Sequence, residues 1–114
     1  MSKKSDYARV RFVLAKIEDL QGYQTRFPSL DALFSDLMAY DAVLMCLLQI
    51  GESLQKLENK SWSEQLPVQG AYFVRNIIAH DYEGVDRSIV ERIVADEIPR
   101  LRLVINQILA ESSR

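Results

Sequence analysis

The chain has 114 residues, 48% of them hydrophobic, with only four glycines and three prolines, so its long stretches rich in Leu, Ala, Glu, Lys and Arg predict one all-α domain over residues 1–114. A net charge of −2 excludes a broad basic surface, so any contact with nucleic acid must be local or built from more than one chain. The single cysteine, Cys46, excludes an internal disulfide and a cysteine-based metal site, which favours a cytoplasmic protein.

The first predicted helix begins after Ser5, a suitable N-cap, and its apolar residues recur at helical spacing up to Gly22. The N-terminal segment is charged and holds no apolar run of signal-peptide or membrane-spanning length, so we expect no contact with a membrane. A long second helix is predicted without interruption from Leu30 to Leu57, with Ser29 as its N-cap.

The middle of this second helix, from Val43 to Gly51, is apolar on more than one side. A glycine inside a helix is about 1 kcal/mol less favourable than alanine, so we expect another backbone to approach Gly51 closely. Both features are typical of a central core helix and of a subunit interface, and the sequence does not choose between them.

Residues 59–69 are predicted to form a loop from which Trp62 packs back onto the core. The third helix is predicted from Pro67 or Val68 to His80 or Tyr82, ending before a glycine. No low-complexity segment or internal repeat is present.

Asp86 is a candidate cap for a fourth helix that ends near Asp96, because Pro99 interrupts the helical pattern. A fifth helix is predicted from Pro99 to Ala110, since proline is tolerated in a first turn. The predicted architecture is therefore a compact bundle of four to five helices.

The third helix and the residues that follow it carry the candidate chemistry of the chain: Arg75, Asn76, His80, Asp81 and Tyr82. Arginine can hold a phosphate bidentately, histidine can move a proton near neutral pH, and a tyrosine hydroxyl can donate a hydrogen bond or accept a modifying group. At about 100° per residue, Arg75, Asn76 and His80 lie opposite an apolar side that includes Phe73. We therefore expect the three polar side chains to face away from the core.

Each candidate also has an ordinary structural interpretation. His80 can act as a favourable charge at a helix C-terminus, Arg75 can pair with Asp81 or Glu83, and Tyr82 can be a half-buried packing residue. The carboxylates near residue 81 are expected to be turn and cap residues, so neither a metal nor a cofactor is predicted.

One exposed helix face has no walls to exclude water, and it would make a poor active site. Two such faces in a symmetric dimer would form a cleft and double the local positive charge. We therefore expect a homodimer in which the third helices lie near the two-fold axis.

The spacing Arg75, four residues, His80, one residue, Tyr82 in a small helical chain resembles the HEPN ribonuclease motif, and this version resembles the HepT toxins. The resemblance extends over nearly the whole chain, including Gly51-Glu52 and Pro99. The segment from Val68 to Ala71 departs from it, because members of the family often carry aromatic and basic residues there.

The resemblance implies a metal-independent endoribonuclease toxin of a type VII-like toxin–antitoxin system that acts on RNA and not on DNA. Its implied partner is a minimal nucleotidyltransferase antitoxin that transfers AMP to Tyr82. In this interpretation His80 transfers protons and Arg75 contacts the phosphate, while Asn76 and Asp81 have supporting roles. The alternatives are a non-catalytic HEPN subunit that binds a nucleotide or docks a nucleotidyltransferase, and a helical protein-interaction module.

Overall fold

Helices make up almost all of residues 5–112, the part of the chain that this computed structural model describes. They are α1 (Asp6–Gln24), α2 (Leu30–Ser35), α3 (Leu37–Gln55), α4 (Lys60–Gln65), α5 (Val68–His80), a 3-10 turn (Tyr82–Gly84), α6 (Arg87–Arg92), a π-helical turn (Ile93–Glu97) and α7 (Ile98–Ser112). The described residues include no strand. The predicted all-α class is confirmed.

The core is built around α3, which contacts both α1 and α5. Most of the apolar middle of α3 is buried, including Cys46 and Gly51, whereas Met45 is exposed. By length and composition α3 could also cross a membrane, but the core helix of a soluble protein passes the same weak test. Of the two predicted explanations for this apolar segment, the single chain shows the core position.

The prediction of one continuous helix from Leu30 to Leu57 is wrong, because the backbone leaves the helical conformation at Asp36. Asp36 has φ −85° and ψ 115°, and its carboxylate accepts a hydrogen bond from the backbone N–H of Ala39 at 2.9 Å. An aspartate side chain that caps a helix start competes with continuation of the preceding helix. The apolar spacing runs through both α2 and α3, so periodicity alone did not show the break.

The predicted loop at residues 59–69 also contains a helix, α4. Its N-cap is Asn59, whose side-chain oxygen accepts from the backbone N–H of Trp62 at 3.0 Å. Trp62 packs against the core as expected. Asp6 holds the segment in front of α4, since its carboxylate accepts from the backbone N–H groups of Glu58 and Asn59.

Pro99 does not separate two helices, contrary to the sequence-based prediction. The five residues before Ile98 form a π-helical turn, and the N–H of Ile98 bonds to the carbonyl of Ile93, five residues earlier. Proline lacks an N–H and clashes with the carbonyl four residues before it in a regular α-helix, and a π turn shifts the bonding register there. The helix therefore continues from α6 into α7.

Candidate active site

Helix α5 runs antiparallel to α3, and this pairing positions the candidate residues. Gly51, near the end of α3, lies against Ala71 and Arg75, whereas Asp41, near its start, bonds to Tyr82 just beyond α5. A Cβ at residue 51 would come within 2.5 Å of the Ala71 carbonyl oxygen and 2.7 Å of the Arg75 Cβ. The predicted close approach at Gly51 is confirmed.

This packing turns Arg75 toward α3, so the prediction that it faces away from the core is wrong. Phe73 was expected on the apolar inner side of α5, but the structure leaves it 65% exposed. The sequence-based grouping of Phe73 was wrong, because at 100° per residue it lies only about 20° from His80 around a helix. The side of α5 that packs carries the buried Ile78 together with Arg75.

Arg75 is held by two neighbours. Its Nε and Nη2 donate to Oε1 of Glu52 at 3.3 and 3.2 Å, and its Nη1 donates to Oδ1 of Asn76 at 2.9 Å. The guanidinium also lies 5.7 Å from the ring centre of Tyr72. Among the described residues its ionic partner is thus Glu52, not Asp81 or Glu83. A guanidinium has five N–H groups, so two remain for a substrate.

The contact with Arg75 fixes the orientation of the Asn76 amide. Arginine offers only donors, so the amide oxygen must face it and the amide NH₂ must point the other way. Asn76 and His80 are four residues apart on α5, and the sequence allowed them to touch. The side chain of Asn76 instead bonds to Arg75, and its two N–H donors are directed away from that contact.

His80 ends α5 and is exposed. Within residues 5–112 its side chain has no hydrogen bond or ion pair. Arg75 and His80 diverge by about 140° around an α-helix, and the structure joins Arg75 to Asn76 but not to His80. One chain therefore leaves the imidazole free for a substrate without bringing the guanidinium to it.

Asp81 and Gly84 shape the turn that follows α5. The Asp81 carboxylate accepts from the backbone N–H of Gly84 at 3.2 Å. A Cβ at residue 84 would meet that carboxylate, so the Asp81 side chain would have to move and give up this contact. Asp81 thus supports the turn, and this turn brings the next residue, Tyr82, back to α3.

The hydroxyl of Tyr82 donates to Oδ1 of Asp41 at 2.6 Å. Burial, followed by this hydrogen bond, raises the pKa of Tyr82 to about 12. The side chain is still 42% exposed. Tyr82 is therefore accessible, protonated at neutral pH and fixed in direction by a carboxylate.

No group of three or more His, Cys, Asp and Glu side chains within residues 5–112 could hold a metal ion. A protein-family model described as "Ribonuclease HepT-like" matches residues 13–108, and no solved structure matches the chain. The chain belongs to the HepT-like ribonuclease family. The resemblance found in the sequence is confirmed, and HepT-like membership supports RNA cleavage as the general activity.

Two residues of this HepT-like chain were not among the candidates predicted from sequence. Asp41 lies 41 residues before its partner Tyr82, and Glu52 lies 23 residues before Arg75. The Gly51-Glu52 pair contributed to the family resemblance, but neither carboxylate lies near the motif in sequence. The antiparallel pairing of α3 and α5 brings both of them to it.

Proposed function

We propose that this chain is a metal-independent endoribonuclease, the toxin of a cytoplasmic toxin–antitoxin pair, which cleaves RNA at a site shared by two copies. The proposal rests on the arrangement of side chains at the C-terminal end of α5, in a chain that belongs to the HepT-like ribonuclease family. There the imidazole of His80 is exposed and without a partner among the described residues, and Arg75 fixes the amide of the nearby Asn76.

The chemistry requires proton transfer and stabilisation of charge. The ribose 2′-hydroxyl attacks the adjacent phosphorus and the bond to the 5′-oxygen breaks, so a metal-bound water is not needed. His80 assists this step by moving a proton at its imidazole. The N–H groups left on Arg75 and the amide NH₂ of Asn76 supply donors to the phosphoryl oxygens.

A second copy is proposed to complete the site, because Arg75 and His80 of one chain point in different directions. Phe73, Asn76 and His80 lie within about 60° of one another around α5. Phe73 is 65% exposed at this face, and an exposed aromatic side chain beside polar groups favours a protein contact. A two-fold axis there would cover Phe73 and bring two imidazoles and two Asn76 amides together.

The antitoxin is proposed to be a minimal nucleotidyltransferase that transfers AMP to Tyr82. The support is that Tyr82 is accessible and that both Tyr82 and Arg75 contact α3. An AMP group would add negative charge and bulk on the side of α3 where the Arg75 guanidinium lies, and so compete with an RNA phosphate.

The Glu52–Arg75 ion pair favours a second candidate, a non-catalytic subunit that docks a nucleotidyltransferase. The Glu52 carboxylate already accepts hydrogen bonds from two of the Arg75 N–H groups that would hold a phosphate. A direct assay of RNA cleavage separates the two candidates.

The decisive variant is His80→Ala, with Gln69→Ala at an exposed position near the start of α5 as the control. We expect His80→Ala to lower the RNA cleavage rate by about 100-fold or more, the usual contribution of a proton-transfer group. Circular dichroism should show an unchanged fold, because His80 is exposed. A folded His80→Ala protein that cleaves RNA as fast as the Gln69→Ala control would exclude His80 from the reaction.

A further inference from the structure

We propose that Asp41 is the residue of this chain that prepares Tyr82 to accept AMP, by orienting the phenol and taking its proton as the new bond forms. The inference rests on the proposed function, since it needs a nucleotidyltransferase partner. It adds a catalytic group that belongs to the toxin and not to the antitoxin.

The geometry supports this role directly. The 2.6 Å contact is between the phenol hydroxyl, which is the reacting group, and a carboxylate oxygen of Asp41. Asp41 is on an exposed part of α3 and has no ion pair within the described residues 5–112. Its carboxylate is therefore available to receive the proton, with no competing cation from that part of the chain.

Exposure alone would not select Tyr82 among the five tyrosines. Tyr7 is 49% exposed, slightly more than Tyr82 at 42%. The hydroxyl of Tyr40 is buried without a hydrogen-bond partner, and the ring of Tyr72 lies beside the Arg75 guanidinium. Within residues 5–112, the tyrosine hydroxyl that donates a hydrogen bond to a carboxylate is that of Tyr82. The Asp41 contact thus distinguishes the acceptor from the other accessible tyrosine.

The proposed step balances with ATP as the co-reactant. The Tyr82 oxygen attacks the α-phosphorus, an O–P bond forms, the bond to the β-phosphate breaks and pyrophosphate leaves. The phenol proton passes to the Asp41 carboxylate. A tyrosine phenol is protonated at neutral pH, and the raised pKa of Tyr82 makes its proton harder to remove. A base positioned at its hydroxyl therefore lowers the barrier to attack.

The test follows AMP addition to the full-length toxin by intact-protein mass spectrometry, with the purified antitoxin and ATP. Asp41→Asn keeps an acceptor for the phenol but removes the base, and we expect the modification rate to fall by about 100-fold. The control is Glu83→Gln, which removes the charge of an exposed carboxylate next to Tyr82. This control should be modified as fast as the unchanged protein, and Tyr82→Phe should gain no mass.

A second measurement tests the hydrogen bond between Tyr82 and Asp41. Subtracting the ultraviolet absorbance titration of Tyr82→Phe from that of the unchanged protein isolates the ionisation of Tyr82. We expect phenolate formation near pH 12 in the unchanged protein. In Asp41→Asn the same transition should move toward the ordinary tyrosine value of about 10.

The possible failures are distinguishable. If the unchanged toxin gains no AMP, the proposed regulation and the role of Asp41 both fall. If the unchanged toxin is modified at Tyr82 and Asp41→Asn is modified at the same rate, the regulation stands and the role of Asp41 is wrong.

Discussion

Glu52 accepts two of the three intramolecular hydrogen bonds of the Arg75 guanidinium, and its charge acts where we propose that an RNA phosphate binds. The Arg75 and Glu52 side chains are 26% and 39% exposed. A pair this accessible to water contributes only about 0–1 kcal/mol to the free energy of unfolding. Its larger effect is on the local potential, because a carboxylate beside the guanidinium opposes the approach of a second anion.

We therefore expect Glu52→Gln to lower the KM for RNA by about 2- to 5-fold, since the amide still accepts from Arg75 but the opposing charge is gone. The measurement is KM at low and moderate salt, and the difference should shrink as salt rises. Glu64→Gln, at an exposed carboxylate on α4, is the control. A higher KM in Glu52→Gln would show instead that the carboxylate mainly holds Arg75 in place.

For individual residues, the sequence identified the candidate side chains but not the contacts that they make. The motif that contains Arg75, His80 and Tyr82 is local, so residue type and spacing were sufficient to find it. The partners Asp41 and Glu52 depend on how far α5 slides and rotates against α3, and periodicity does not determine that register.

At the scale of elements, the contact of α3 with α5 depends on the absence of a side chain at residue 51. The atoms that a Cβ would meet are a backbone carbonyl and a Cβ, neither of which can turn aside as the end of a flexible side chain could. Overpacking of this kind costs about 1–3 kcal/mol. The helical preference of alanine over glycine offsets about 1 kcal/mol of that cost.

We expect Gly51→Ala to lower the free energy of unfolding by up to about 2 kcal/mol in urea denaturation, the balance of those two terms. Gly22→Ala is the matched control, because a Cβ there meets nothing within 4 Å. The control should be unchanged or more stable by up to about 1 kcal/mol. Equal stability of Gly51→Ala and Gly22→Ala would contradict the close approach.

The helix boundaries show where local rules worked and where they failed. Ser5 and Ser29 cap α1 and α2 as predicted. Asp36 and Asn59 cap the two helices that were missed, and both have a strong capping side chain. Asp36 lies inside a continuous apolar pattern, and Asn59 lies in a segment rich in polar residues. In both places the prediction followed the surrounding pattern and not the capping side chain.

At the scale of the whole molecule, a net charge of −2 means that RNA is attracted only where positive groups are concentrated. The proposed dimer provides this concentration by placing the outer faces of two α5 helices together. Its decisive contact is Phe73, which is 65% exposed in the single chain.

We expect Phe73→Glu to give a folded monomer that does not cleave RNA, since two carboxylates would meet at the proposed two-fold axis. Light scattering reports the mass in solution, and a cleavage assay reports activity. Leu103→Glu is a matched control, because Leu103 is also 65% exposed but lies on α7. A Phe73→Glu protein that stays dimeric and active would place the subunit contact elsewhere.

The π-helical turn before Pro99 has a consequence for the last third of the chain. It contributes one more residue per turn than an α-helix does, so it changes the angular phase of every side chain after it by about 100°. Leu101, Ile105 and Ile108 on α7 are buried, as is Val90 on α6, so the core accommodates this offset. Removing a single residue from the turn would restore ordinary helical bonding and bring the ring of Pro99 against the carbonyl four residues before it, so we expect such a deletion to kink the helix although no core side chain would have been changed.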